Sequence, residues 1–365
     1  MTIDVHEVAR SLELYSLGKK LKEFSKQNKK ILAFTREPAI RERREVKNIV
    51  VAFGSYDPLS IAHEALFRKG LSTIKNHNTR MDGLDELVIV TSTTHFEKKV
   101  NLQKNSATYD RIHAQEGFAS CIGNVSLAYF NDPYFFNLLP ALQKSYENLA
   151  NIYFLVGADV MEKIVNISSY EKRGFDSTQV FEKLFSQYFI VAERTVEYKQ
   201  ETKSEIKSKT KSETTENNNQ EKNEKTEKII KQLVTASDLI CKYSVLKKNE
   251  NKIIGVNLEG TYSGLEIPIE NVSSTLIRTK RSMGLDAAHL QAAGISDLVK
   301  RRQIYLNNGF YQSFVCAREL LFDKAEREGK KMYDCIDDIM NFLEKLENSQ
   351  GLQRLMVEEY AKLDE

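Results

Sequence analysis

Between Ile49 and Phe67 the chain passes from an apolar run, Ile49-Val50-Val51-Ala52-Phe53, through Gly54-Ser55-Tyr56-Asp57-Pro58-Leu59-Ser60-Ile61-Ala62-His63, into Glu64-Ala65-Leu66-Phe67. The apolar run is too short for a helix and rich in β-branched residues, and the residues after the Gly and Pro have helical spacing. The stretch therefore reads as a buried strand, a tight turn and a helix. A strand that feeds a helix through a Gly-containing turn aims free backbone N–H groups and the positive helix end at the space above the sheet edge, which suits a phosphate. His63 falls on the first turn of that helix and faces the same space.

Further apolar runs recur at spacings that leave room for helices between them. Leu87-Val88-Ile89-Val90, Val125-Ser126-Leu127-Ala128-Tyr129, Ile152-Tyr153-Phe154-Leu155-Val156, Phe189-Ile190-Val191-Ala192 and Ile253-Ile254-Gly255-Val256-Asn257 are the strand candidates. Alternating strands and helices imply right-handed crossovers and a parallel sheet, with any ligand beyond the carboxyl ends of the strands. The expected fold is a doubly wound, Rossmann-like α/β sheet with helical additions at both ends. Residues 1–47 read as a helical extension and a charged connector, 48–312 as the main domain, and 313–365 as a helical appendage. In the first of these, Val5, Val8, Leu12 and Tyr15 form one apolar stripe and Leu14, Leu17, Leu21 and Phe24 another. The segment 198–228 is almost wholly Lys, Glu, Ser, Thr, Asn and Gln and cannot bury enough surface to offset chain entropy, so it reads as a disordered insertion.

Three stretches, in order, carry a resemblance. Gly54-Ser55-Tyr56-Asp57-Pro58 followed by Ser60-Ile61-Ala62-His63 resembles the first signature of the nucleotidylyltransferase superfamily, G-[ST]-F-D-P followed by [HT]-x-G-H. Val272-Ser273-Ser274-Thr275-Leu276-Ile277-Arg278 resembles its second, I-S-S-T-x-I-R, with one Val for Ile exchange. Val156-Gly157-Ala158-Asp159 resembles the G-A-D of the branch that adenylylates nicotinate or nicotinamide mononucleotide. Three motifs in sequence are far more specific than any one of them.

The resemblance implies a reaction in which a phosphate oxygen of the acceptor attacks the α-phosphorus of ATP and pyrophosphate leaves, with Mg²⁺ on the phosphates. It implies His63, Ser60 and Arg278 as catalytic groups. Gly54, Ser55, Tyr56, Asp57, Ser273, Ser274, Thr275 and Arg278 would then bind ATP. His95, Lys98, Arg111, Gly157 and Asp159 would meet the acceptor, and no protein metal site is implied. Each has a plainer reading as well: Ser273 to Thr275 as a helix cap, Arg111 as half of an ion pair, Lys98 as a solvated charge, Asp159 as a cap. The sequence departs from the family at Ser60, where His or Thr is usual, and at Ala62, where Gly would allow close backbone approach. It also lacks Trp, so Tyr134, Phe135, Phe136 and Tyr170 are the rings available to stack on a pyridine.

Composition removes several other classes. A net charge of +2 over 365 residues gives no basic field for nucleic acid. No apolar run approaches the ~18–20 residues of a membrane span, and the N-terminus has no signal-peptide core. Cys121, Cys241, Cys316 and Cys335 have no zinc or C-x-x-C spacing and read as reduced thiols of a cytoplasmic protein. No G-x-G-x-x-G follows a strand and no G-x-x-x-x-G-K-[ST] occurs, which disfavours a dehydrogenase and a P-loop enzyme. Three readings stay open: an adenylyltransferase of the pyridine-nucleotide branch, a sister transferase with another phosphorylated acceptor, and a nucleotide sensor that has lost turnover. The expected partners are ATP and that small acceptor, without nucleic acid or membrane, and the helical additions leave room for a homo-oligomer contact.

Overall fold

A computed structural model describes residues 5–37, 46–77, 84–92, 107–201, 227–258, 268–295, 299, 304, 310–330 and 336–347. Its strands are β1 (Leu32–Arg36), β2 (Val46–Gly54), β3 (Leu84–Ser92), β4 (Val125–Phe130), β5 (Asn151–Gly157), β6 (Tyr188–Ala192), β7 (Arg194–Glu201), β8 (Glu227–Val234) and β9 (Ile253–Val256). The helices are α1 (Val5–Lys26), α2 (Ile61–His77), α3 (Thr108–Ile122), α4 (Phe135–Ser145), α5 (Ala158–Ile164), α6 (Ile167–Glu171), α7 (Ser177–Phe185), α8 (Ala236–Lys242), α9 (Ser244–Lys248), α10 (Ser274–Ser282), α11 (Phe310–Arg327) and α12 (Ile336–Glu347).

Seven strands form one sheet in the order β1-β4-β3-β2-β5-β6-β9. Six are parallel, and counted along the chain from β2 they run 3-2-1-4-5-6. That is a doubly wound α/β sheet, whose winding reverses between β2 and β5. β2 is central and covered on both faces, which explains its unbroken apolar run: Ile49, Val50, Val51 and Ala52 are each 0% exposed. Alternate residues point to opposite faces. Val50, Ala52, Leu87, Ile89 and Leu155 pack under α1, α2, α3, α11 and α12. Ile49, Val51, Val88, Phe154 and Val156 pack under α4 to α9.

The structure departs from the sequence reading at two places. β1, in the stretch between the N-terminal helix and the charged connector, is an antiparallel edge strand on β4. The buried Asn131 fastens it, accepting from Ile31 N–H at 2.7 Å and donating to the Lys29 carbonyl at 2.7 Å and the Leu21 carbonyl at 3.2 Å. β7 and β8 form an antiparallel hairpin from Arg194↔Val234 to Glu201↔Glu227. Both ends of the expected insertion, 198–201 and 227–228, are thus strand, and residues 202–226 lie outside the described residues. No helix among the described residues is long and apolar enough to cross a membrane. Cys121, Cys241 and Cys316 are free thiols, the last one buried.

Candidate active site

The carboxyl ends of β2 and β5 lie side by side at the reversal of winding. Ala52 pairs with Leu155, so Gly54 and Gly157, each two residues further on, stand level. In such sheets the crevice at this point is the usual ligand site. Gly54 allows the turn to fold back: a Cβ there would sit 3.1 Å from Tyr56 Cζ. Tyr56 itself adopts a left-handed backbone with φ 42°, which costs a side-chain-bearing residue about 1–3 kcal/mol, and the Asp57-Pro58 peptide is cis. The buried Tyr56 ring packs edge-on against His63, centroids 5.3 Å apart, and against Phe67 at 5.8 Å. The ring therefore shapes the turn from within the core.

Ser60 and His63 are bound to each other. The Ser60 N–H donates to His63 Nδ1 at 3.1 Å, and the Ser60 hydroxyl lies 2.8 Å from the same nitrogen. The backbone N–H can only donate, which makes Nδ1 the acceptor, so the neutral ring carries its proton on Nε2 and the hydroxyl then donates to Nδ1 as well. Burial, and after it the positive charge of Arg194, lowers the imidazole from its ordinary 6.5 to about 3. His63 is accordingly a neutral ring at physiological pH with an Nε2–H to donate. Arg194 was not among the candidates read from the sequence; its only local mark there is that it comes two residues after the apolar run of β6.

The second signature docks onto this turn from more than 200 residues away. Ser273 caps α10, its hydroxyl accepting from Leu276 N–H at 3.2 Å. Ser274 Oγ donates to the Pro58 carbonyl at 2.8 Å, and Arg278 Nη1 donates to the Asp57 carbonyl. Arg278 Nη2 also reaches Thr275 Oγ1 at 3.1 Å, and Thr275 is exposed. An apolar cluster joins the two helices beneath these bonds: Ile61, Ala62 and Ala65 of α2 with Val272 and Ile277. Ala62 is 3% exposed, so its methyl packs into this cluster. The structure thus gathers Gly54, Tyr56, Asp57, Ser60, His63, Ser273, Ser274, Thr275 and Arg278 at one end of the sheet, with Ser55 in the same turn.

Other candidates have different surroundings. Asp57 and Arg111 form a buried ion pair, Oδ2 to Nη2 3.4 Å, so this carboxylate is engaged by Arg111. Asp159 starts α5 beside Gly157, where a Cβ on the glycine would meet Asp159 Oδ1 at 2.6 Å. Phe136 and Tyr170 are buried in an aromatic cluster with Phe175 and Phe181, whereas Tyr134 is half-buried, with the Arg173 guanidinium 5.9 Å over its ring. His95 and Lys98 lie outside the described residues. Among the described residues no group of three His, Cys, Asp or Glu side chains converges.

No protein-family model matches the chain, and no curated protein matches it. Among solved structures, it is similar to a Vibrio parahaemolyticus protein provisionally assigned as a nicotinate-nucleotide adenylyltransferase. The two are 13% identical with a TM-score of 0.36, over 71% of this chain and 96% of that one. The fold class rests on the strand order of the sheet itself.

Proposed function

We propose that the chain transfers an adenylyl group from ATP to nicotinate or nicotinamide mononucleotide. The observation that carries this reading is the junction of the two signature segments. Ser274 and Arg278 are hydrogen-bonded to the carbonyls of the turn that presents His63, at the reversal of the sheet.

The chemistry such a junction can perform is in-line displacement at phosphorus. An acceptor phosphate oxygen forms a bond to the α-phosphorus as the bond to the bridging α,β-oxygen breaks, and pyrophosphate takes the electron pair. No covalent enzyme intermediate is needed. The protein must hold two anions together and stabilise charge where it grows. His63 Nε2–H would donate to a non-bridging α-phosphate oxygen; because the ring is neutral, it supplies a directed dipole and keeps its proton. The N-terminal amides of α10 and the guanidinium of Arg278 would face the departing pyrophosphate. Arg194, next to His63, adds positive charge on the same side. Asp159 and Gly157 at the end of β5 are the groups on hand for the acceptor, and the Gly54 and Ser55 backbone for the nucleotide.

The test is a turnover assay with ATP, Mg²⁺ and each mononucleotide, following dinucleotide and pyrophosphate together. Dinucleotide should form, with one mononucleotide preferred, and His63→Ala should lower kcat by about 10²- to 10³-fold, as the loss of one transition-state donor does elsewhere. A protein that binds ATP yet makes no dinucleotide from either acceptor would overturn the reading. The sister transferase and the sensor would then be separated by pyrophosphate release in the presence of other phosphorylated acceptors.

A further inference from the structure

The first turn of α3 is held by the C-terminal helix α11. Ala107, the N-cap of α3, has no side chain that can cap it. Tyr311 supplies the missing group: its hydroxyl accepts from Ala107 N–H at 2.9 Å and donates to Asp110 Oδ2 at 2.6 Å. Arg318, two turns further along α11, places Nη1 and Nη2 on the Asp110 carboxylate at 3.2 and 3.1 Å. Nη1 also reaches Ser11 Oγ of α1 at 3.0 Å. The guanidinium lies 4.6 Å from the ring centroids of both Tyr109 and Phe314. Arg318 and Asp110 have no solvent exposure at all.

A contact between helices could be made from apolar residues of the same volume at no loss of stability, because desolvating two charges offsets most of their attraction. What the charged node adds is a fixed rotation and height for one helical turn. The residue after Asp110 is Arg111, displaced by about 100° around the helix, and it pairs with Asp57. Asp57 in turn offers its carbonyl to Arg278. Two sets of buried polar contacts, Tyr311 and Arg318 on Asp110 and Arg111 on Asp57, are therefore joined through the backbone of one turn of α3, and link α11 to the segment that carries Ser60 and His63.

We propose that Tyr311 and Arg318 are positioning residues, through which α11 sets the placement of the Asp57–His63 turn. The C-terminal helix is then part of the nucleotide site. The catalytic consequence rests on the adenylyl-transfer reading, but the positional one does not.

Tyr311→Phe tests this with the ring retained and only the hydroxyl removed; Arg318→Met and Arg318→Lys extend it. Hydrogen–deuterium exchange of the full-length protein should show faster exchange in the 57–63 segment of Tyr311→Phe. The kcat with ATP and mononucleotide should fall about tenfold in Tyr311→Phe and Arg318→Met, the scale expected of a sub-ångström misplacement, with partial recovery in Arg318→Lys. Combining Tyr311→Phe with Arg111→Lys should cost little more than Arg111→Lys alone, since both act through one contact. Ile152→Val, a core substitution under the opposite face of the sheet, should leave exchange at 57–63 unchanged. Folded Tyr311→Phe protein with wild-type exchange over 57–63 would overturn the proposal. If the wild type makes no product, the adenylyl-transfer reading fails, and the exchange result alone still decides whether α11 positions the turn.

Discussion

The two faces of the sheet are built differently. Under α4 to α9 the core is mainly apolar and aromatic, with one buried carboxylate, Glu86, accepting from the Tyr146 hydroxyl at 2.9 Å: Phe154 touches the rings of Phe135 and Phe189, and Phe136, Tyr170, Phe181 and Phe185 continue the cluster. Under α1, α3 and α11 the apolar core encloses charge, with Asp110, Arg111 and Arg318 all at most 4% exposed beside Ser11 and Gln115. Interlocking rings tolerate several near-equivalent packings, whereas a buried ion pair held by several directed hydrogen bonds restricts its geometry more closely. The polar face is also the face from which α3 reaches the Asp57 turn. The difference teaches that the ion pairs are concentrated on the side of the sheet that carries the Asp57 turn, while the other side is filled mainly by rings.

The largest expected effect would break this comparison if it failed. Phe154→Ala and Asp110→Ala should each destabilise the protein by about 3–5 kcal/mol, the first by opening a cavity and the second by stranding the Arg318 charge. Their responses to a second substitution should differ. Asp110→Leu with Arg318→Met should restore stability to within about 1–2 kcal/mol of wild type, because removing both charges removes the uncompensated one. Replacing Phe135 or Phe189 should not restore Phe154→Ala. Urea unfolding of these variants beside the wild type checks both. A double variant as unstable as Asp110→Ala would show that the ion pair is itself a main source of stability.

The aromatic face was more legible in the sequence than the polar one. β-Branched and aromatic runs such as Ile152–Val156 and Phe189–Ala192 announce buried strands from composition and length alone. β1 was missed because Leu32-Ala33-Phe34-Thr35-Arg36 is a half-buried edge strand that borders a charged stretch. The β7–β8 hairpin was hidden because its strands pair across 25 intervening residues and share the Lys- and Glu-rich composition of the segment they bracket. In the site, the junction of Arg278 with Asp57 follows from two motifs that each have a recognisable local pattern. Arg194, Asp110 and Arg318 have none: their roles are created by neighbours 131, 208 and 307 positions away, and a spacing rule does not reach that far.

A smaller effect sharpens where the site stands between the two faces. Ser273→Ala removes the hydroxyl that accepts from Leu276 N–H, and should cost about 1 kcal/mol of stability, the usual worth of an N-cap. Thermal and urea unfolding measure it. A loss as large as that of Phe154→Ala would mean that the α10 start belongs to the folding core; the expected small loss leaves it as an edge element whose hydrogen bonds serve ligand geometry.

The last effect is a slope, and it asks whether His63 sides with the buried polar groups or with solvent. Burial, then Arg194, holds its imidazole near 3, against 6.5 for an unperturbed ring. Between those values the unfolded chain binds a proton that the folded one refuses, so stability falls as pH drops through the window, by at most about 1.4 kcal/mol per pH unit from this group. Above pH 6.5 both states are neutral there and the contribution is flat. Carboxylates add their own acid slope, so the informative quantity is the stability difference between wild type and His63→Gln. That difference should be constant from pH 8 to 7 and should then shift in favour of the variant as pH falls towards 4.5. A difference that stays constant over the whole range would mean that the folded ring takes up its proton as readily as it does in water. The Ser60 N–H could not then be donating to Nδ1, and the assignment of the ring proton to Nε2 would go with it.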